Sequence, residues 1–323
     1  MRIVVTGSLA YDYIMNFPGS FRDHILPEKT HMLTVSFLVD SMKRLRGGVA
    51  GNVALTLALL GERPLVLASA GQDFGEYRAW MEEHGIDHSG IAAVADEFTA
   101  SCFINTDLAG NQIVAFYTGA MAYSKNLSLV PLGLGPDDLV LISPTDPEAM
   151  SRYARECREL GVPFLFDPGK QTPRLTGEQI VDGLQGAKIL VGNDYEFAMM
   201  AQATGKTEEE LIRSVPITLV TRGGEGATIY TEGREIHIPI APVERVLDPT
   251  GAGDAFLGGF VFGLSRGLPL ETAGRIAALA ASYCIEQHGC QEHSYTSASF
   301  AERYAATFGT PLPLEALAAQ ASA

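Results

Sequence analysis

Positive charge, cysteine and unbroken apolar sequence are all scarce in this chain of 323 residues. Its 23 Lys and Arg are outnumbered by 38 Asp and Glu, for a formal charge of −15. A nucleic-acid polymer is held through clustered cations that neutralise its phosphates, so this balance argues against one as a partner. A small anion gripped by backbone amides stays open. The four cysteines, Cys102, Cys157, Cys284 and Cys290, lack CxxC spacing and fall mostly in apolar or helical stretches. They are expected to be buried free thiols of a reducing compartment, neither a zinc site nor a disulfide framework. No apolar stretch reaches the roughly 18 uninterrupted residues a membrane-spanning helix needs. Met1-Arg2 runs straight into Ile3-Val4-Val5 without a signal-peptide pattern, and the expectation is a soluble, cytoplasmic protein.

What is present is ordinary globular composition, 46% hydrophobic and 19% charged, in a chain long enough for a large core. Short β-type runs at 3–6, 65–69, 139–143, 163–166, 189–191 and 217–221 alternate with helical patterns. The helical stretches are 52–60, 75–83, 147–160, 194–201 and 208–213, followed near the C-terminus by 270–287 and 297–308. Such alternation implies βαβ units and a mostly parallel sheet covered on both faces. Two regions break the rhythm. Residues 13–46 hold no long helix pattern but contain Ile14-Met15-Asn16-Phe17 and the run 32–39; residues 98–117 read as a hairpin turning at 107–111. Both are expected to form a small antiparallel β element projecting from the main sheet, either a lid over a site or a packed surface hairpin. The Ala-rich tail 311–323 is expected to fray beyond a single domain spanning 1–310.

The most informative heptapeptide is Asp248-Pro249-Thr250-Gly251-Ala252-Gly253-Asp254, followed at once by an apolar helical run. Small residues at 251–253 let backbone N–H groups close around an anion at a helix start, and Asp254 puts a carboxylate in that first turn. A carboxylate beside a phosphate is repelled unless it has a proton to take or a metal to bind, which suggests phosphoryl transfer. Alternatively, Asp254 merely complements the helix dipole. Gly47-Gly48-Val49-Ala50-Gly51-Asn52 lets a ligand approach the backbone and offers an amide to a hydroxyl, or is a Gly-rich turn with Asn52 as N-cap. Asp12, expected just beyond the end of the first strand, can accept hydrogen bonds from two neighbouring sugar hydroxyls, or is a turn aspartate. Asn193 and Glu196, at i and i+3, can hold Mg²⁺ directly or through water, or form a capping box. The stretch from Thr221 through Gly223 to Gly226 can wrap nucleotide phosphates or serve as a hairpin turn. Gly205-Lys206-Thr207 imitates the end of a Walker A loop, but Met200 stands where its first glycine belongs and a helix precedes it. A helix C-cap followed by an N-cap explains it better.

With GGVAGN at 47–52, NDYE at 193–196 and DPTGAGD at 248–254 in this order, the chain resembles the ribokinase or PfkB family of carbohydrate and nucleoside kinases over about residues 1–309. Pro249 replaces the commoner Thr. The resemblance implies an α/β fold, a three-layer α/β/α sandwich with a mostly parallel central sheet, plus a β-sheet lid at 13–46 and 98–117. It makes Asp254 the general base and the amides of Gly251, Ala252 and Gly253 an anion hole. Asn193 and Glu196 would position Mg²⁺ and its waters; Thr221, Gly223 and Gly226 would line the ATP site. Asp12, Gly47, Gly48 and Asn52 would hold the sugar. The stretches His24-Ile25-Leu26-Pro27, Val35-Ser36-Phe37-Leu38-Val39, Asp167-Pro168-Gly169 and 115–121 look like the family's bacterial adenosine kinases, and apolar lid residues suit a purine. Phe103, Phe116 and Met121 are the candidates, each equally able to serve as lid core. The expectation is an ATP- and Mg²⁺-dependent adenosine kinase of purine salvage acting on the 5′-hydroxyl, with a monovalent cation as a candidate requirement. It would work as a monomer or lid-mediated homodimer. A kinase of ribose, fructose or a sugar phosphate is the alternative, and a non-catalytic nucleoside-binding protein the third reading.

Overall fold

The computed structural model describes residues 1–25 and 34–312; the expectation for 32 and 33 within the apolar run, and for the tail from 313 onward, lies outside the described residues. Nine strands form the main sheet, in the order β13 (Arg234–Ile238), β12 (Ala227–Thr231), β11 (Ile217–Thr221), β10 (Ile189–Asn193), β9 (Phe164–Phe166), β8 (Leu139–Ile142), β1 (Ile3–Thr6), β4 (Leu65–Gly71) and β5 (Ile91–Val94). From β11 to β5 every pairing is parallel, whereas β12 and β13 add an antiparallel edge. Strand alternation divides the apolar side chains between two cores. Ile3, Val5, Leu139, Leu141, Ile189 and Val191 enter one, and Val4, Val140, Ile142 and Leu190 enter the other.

After the short α1 (Phe21–His24), the first core is covered by α2 (Val49–Leu59), α3 (Gly75–Glu83), α8 (Ala252–Ser265), α9 (Leu270–Ile285) and α10 (Ser297–Phe308). The second is covered by α4 (Pro147–Leu160), α5 (Gly177–Leu184), α6 (Asp194–Thr204) and α7 (Glu208–Ile212). Three layers result, as expected. The Walker-like tripeptide is an ordinary junction, with Gly205 the left-handed C-cap of α6 and Thr207 the N-cap of α7. All four cysteines are free, although Cys102 is only half-buried. Among the described residues no helix is long and apolar enough to cross a membrane.

A second sheet of four strands projects from the first, in the order β3 (Ser41–Gly47), β2 (Ala10–Asn16), β6 (Ala100–Thr106) and β7 (Gln112–Tyr117). The lid thus exists, with three corrections. It is mixed, since β2 and β6 run parallel. Its outer strand is the charged SMKRLRG rather than the apolar run at 32–39, whose residues 34–39 lie in no strand. Edge strands face solvent and tolerate Lys and Arg there, which hides them from a hydrophobicity pattern. Asp12, placed beyond a strand by its motif, sits inside β2.

The sheet's C-terminal edge meets the N-terminus of α8, and glycine packing sets where α8 lies. A Cβ on Gly259 would be 2.7 Å from Ala277 Cα, and one on Gly263 would be 2.4 Å from Ala273 Cβ, so α8 and α9 touch nearly backbone to backbone. Replacing Gly259 by Val should therefore lower unfolding stability by about 1–3 kcal/mol through overpacking. Gly75→Ala, where no atom lies within 4 Å, should leave stability nearly unchanged. Urea denaturation of both variants checks this; an unshifted Gly259→Val midpoint would contradict the packing argument.

Candidate active site

Two helix N-termini approach the same edge, and they differ in what their amides are free to do. Gly48, at φ +91°, begins α2 without a side-chain cap. Ser8, in the turn after β1, supplies the missing acceptors: its Oγ takes the Val49 N–H at 3.1 Å and its carbonyl takes the Ala50 N–H at 3.0 Å. The start of α2 is thereby consumed in holding two loops together. Asn52 lies one turn into that helix, so it is not the N-cap.

The start of α8 is arranged otherwise. Asp248 folds its loop back, accepting from Thr250 N–H at 2.9 Å and Gly289 N–H at 3.1 Å. Gly251 then turns at φ +83°, with Cys290 packed where its Cβ would be. Ala252 N–H is directed at Pro249 O at 3.3 Å, but the N–H groups of Gly253 and Asp254 fall in the first turn, where no intrahelical acceptor exists. An anion fits there.

Asp254 is held from across the site. Asn52 Nδ2 donates to Asp254 Oδ2 at 2.7 Å, and Oδ1 has no hydrogen-bond partner among the described residues. Burial pushes the Asp254 carboxyl up to about 6, against the opposing pull of the Asn52 hydrogen bond and Lys170. Asp167, at the end of β9, is raised well above the usual carboxylate range by burial and by the charges of Glu196 and Asp254. Glu196 is also raised by burial, with Lys170 opposing. The Lys170 ammonium thus faces both Asp254 and Glu196, whose charges in turn act on Asp167.

Asn193 and Glu196 form a reciprocal capping box at the start of α6: Glu196 N–H donates to Asn193 Oδ1 at 2.8 Å and Asn193 N–H to Glu196 Oε2 at 2.9 Å. The cap leaves Glu196 Oε1 without a hydrogen-bond partner among the described residues, so both readings of this motif can hold together. No group of three His, Cys, Asp or Glu able to hold a metal occurs among the described residues. A carboxylate-rich edge with one free Glu oxygen fits a hydrated Mg²⁺ shared with a phosphate, rather than a protein-built cage. Thr221 pairs in register with Asn193, and Gly223–Glu225 makes a 3₁₀ turn closing the hairpin into β12 at Gly226. Space around Gly223 and Gly224 is open within 4 Å.

On the lid, Asp12, Cys102 and Phe116 are successive cross-strand partners on one face, which they share with Leu45. Asp12 also lies against Gly47, where a Cβ would come within 2.6 Å of Asp12 Oδ2. Burial raises the Asp12 carboxyl, with Lys170 opposing. The structure corrects two expected base contacts. Phe103 pairs with Tyr13 on the opposite face and stacks on it at 4.9 Å. Met121 is only 3% exposed, packed with Ala10 and Ala100 beneath the lid. Phe116 keeps its candidacy. Sequence reasoning misses Lys170, Asp167, Ser8, Tyr77 and Gln291 as site residues, although Asp167 stands in Asp167-Pro168-Gly169 and Ser8 in the stretch Gly7-Ser8-Leu9-Ala10-Tyr11-Asp12.

A family model for pfkB family carbohydrate kinases matches residues 2–297. The chain belongs to the PfkB family. A nucleoside kinase of Methanothermobacter thermautotrophicus is 32% identical to this PfkB chain over 315 residues, covering 97% of it and 98% of the relative. The nucleoside kinase of Burkholderia thailandensis, solved in complex with inosine, superimposes at a TM-score of 0.85 with 36% identity, covering 96% of this chain and 99% of that one. Its complex with ADP-inosine gives 0.83 with 37% identity, over 96% and 97% of the two chains. The Methanocaldococcus jannaschii nucleoside kinase, an archaeal member of the ribokinase family, gives 0.82 with 29% identity, over 94% and 98%. The PfkB chain is a phosphotransferase with the ribokinase-like fold.

The raised Asp254 carboxyl has a consequence for stability. The folded state binds this proton more tightly than the unfolded chain, so a penalty on folding builds as pH rises from about 4, where the unfolded carboxyl ionises, to about 6, and stands in full above that. Asp254→Asn should melt at a higher temperature than the parent at pH 8. That advantage should shrink as pH falls through 6 toward 4. A pH-independent difference in calorimetric Tm would contradict it.

Proposed function

We propose that this chain is an ATP- and Mg²⁺-dependent nucleoside kinase that phosphorylates adenosine at the 5′-hydroxyl. The observation that carries the reading is the state of Asp254: one oxygen is pinned by Asn52 and the other has no hydrogen-bond partner among the described residues, beside the first-turn amides of Gly253 and Asp254 at the start of α8. Such a carboxylate is placed to accept a proton from an alcohol while those amides meet developing negative charge. The printed ligands of the Burkholderia enzyme, inosine and ADP-inosine, support a purine nucleoside and a nucleotide as the two substrates.

Asp12 would clasp the ribose 2′- and 3′-hydroxyls from the lid, with the backbone at Gly47 and Gly48 close beneath, leaving the 5′-hydroxyl toward Asp254. Asn52 has a second amide N–H beyond the one given to Asp254, which a sugar hydroxyl can accept. The apolar face around Leu45 and Phe116 suits a flat base, which a free sugar lacks. Gly251, Ala252 and Gly253 form the turn that cradles the transferred phosphoryl group, while Thr221, Gly223 and Gly226 border the nucleotide. Glu196 Oε1 and Asn193 would hold the waters of Mg²⁺, which when bound neutralises phosphate charge. In-line transfer then rests on positioning and charge stabilisation, and the lid excludes competing water.

ADP release measured with adenosine, inosine, ribose, fructose and fructose 6-phosphate tests this. Adenosine should be turned over to its 5′-monophosphate, with the free sugars at least about 100-fold poorer in kcat/KM. Activity confined to ribose, fructose or fructose 6-phosphate would overturn the nucleoside reading, and binding of adenosine without turnover would overturn the kinase.

A further inference from the structure

Behind Asn52 runs a fully buried chain of side chains whose polarity is set at its far end. Tyr77 on α3 is 0% exposed and Gln291, in the loop after α9, is 3% exposed. The Gly47 carbonyl can only accept, so the Tyr77 hydroxyl donates to it, at 2.9 Å. Its proton committed, Tyr77 must accept, and Gln291 Nε2 donates to it at 2.6 Å. The same amide nitrogen places its second hydrogen on Asn52 Oδ1 at 2.8 Å. Asn52 is thereby forced to turn Nδ2, rather than its oxygen, toward Asp254.

We propose that Gln291 and Tyr77 are positioning residues for phosphoryl transfer, relaying the acceptor character of the Gly47 carbonyl through Asn52 so that an N–H always faces Asp254. The proposal rests on the reading of Asp254 as general base. Two further observations agree with it. Gln291 Oε1 is left buried without a partner, a cost the opposite amide orientation would exchange for repulsion between Asn52 Oδ1 and Asp254. Gly51 makes the room: a Cβ there would stand 1.9 Å from the Tyr77 oxygen and 2.7 Å from Gln291 Nε2. The fifth residue of GGVAGN thus serves the relay. Because Gly47 also lies against the Asp12 carboxylate, the relay joins the sugar-binding strand of the lid to the base.

The ionisable groups around Asp254 are Lys170 and Asp167 after β9, Glu196 on α6, Cys284 on α9 and Cys290 in the following loop. Neither Gln291→Met nor Tyr77→Phe changes any of them. The test is the pH dependence of kcat/KM for adenosine at saturating Mg-ATP, in the parent, both variants and Asp254→Asn. Without the relay Asn52 is free to turn its oxygen to Asp254, so the acid limb of Gln291→Met should move up by about one pH unit. That is a loss of roughly fivefold at pH 6, recovering to within about threefold at pH 8.5. Tyr77→Phe should move the limb the same way by about half as much and carries the test if Gln291→Met does not fold. A limb that stays in place, or a loss equal at every pH, would overturn the relay. Near-parental turnover by Asp254→Asn would instead remove the base assignment beneath it.

Discussion

The hydrogen bond from Asn52 Nδ2 to Asp254 Oδ2 joins positions 202 residues apart, and the rest of the site is organised by what each end of it requires. Asn52 must project from α2 at a fixed height, which Ser8 arranges by satisfying the first amides of that helix. Asp254 must sit in the first turn of α8, which needs the left-handed turn at Gly251 and the near backbone contact of α8 with α9. A neutral amide is well suited to the bond. It steadies the ionised carboxylate without supplying a cation that would pull its proton affinity far down, and burial pulls the other way.

The two helix starts show how similar glycine-rich motifs take different tasks. At α2 the leading amides are occupied by Ser8, and the helix serves as a bracket between the turn after β1 and the lid strand β3. At α8 two leading amides have no protein acceptor among the described residues and stand beside a carboxylate. Only the second can receive an anion. Placing both at the C-terminal edge of a parallel sheet follows the rule that open α/β sheets bind ligands there. The antiparallel pair β12 and β13 then leads the chain to α8.

Much of this was legible in the sequence because it is local. Strand and helix periods locate all six expected core strands, and DPTGAGD and NDYE announce helix starts through small residues and through bonds closed within a few positions, Asp248 to Thr250 and Asn193 to Glu196. The lid was harder. Its strand β3 carries Ser41, Lys43, Arg44 and Arg46, so solvent exposure conceals it, and the neighbouring apolar run 32–39 attracts the expectation instead. Phe103 and Met121 read as plausible base contacts because composition does not reveal which face of a strand, or which side of a sheet, a residue takes; the pairing of Phe103 with Tyr13 decides that. Lys170, Tyr77 and Gln291 carry no local pattern at all. Their roles arise only from contacts between distant segments, such as the 239 positions separating Gln291 from Asn52.

The site depends on Asp254 having its carboxyl pushed up to about 6, with one oxygen that has no hydrogen-bond partner among the described residues. Carbon-13 NMR of the protein labelled at aspartate Cγ measures this directly, with Asp254→Asn identifying the resonance. The midpoint is expected near pH 6. A midpoint at the ordinary aspartate value of about 4 would contradict it.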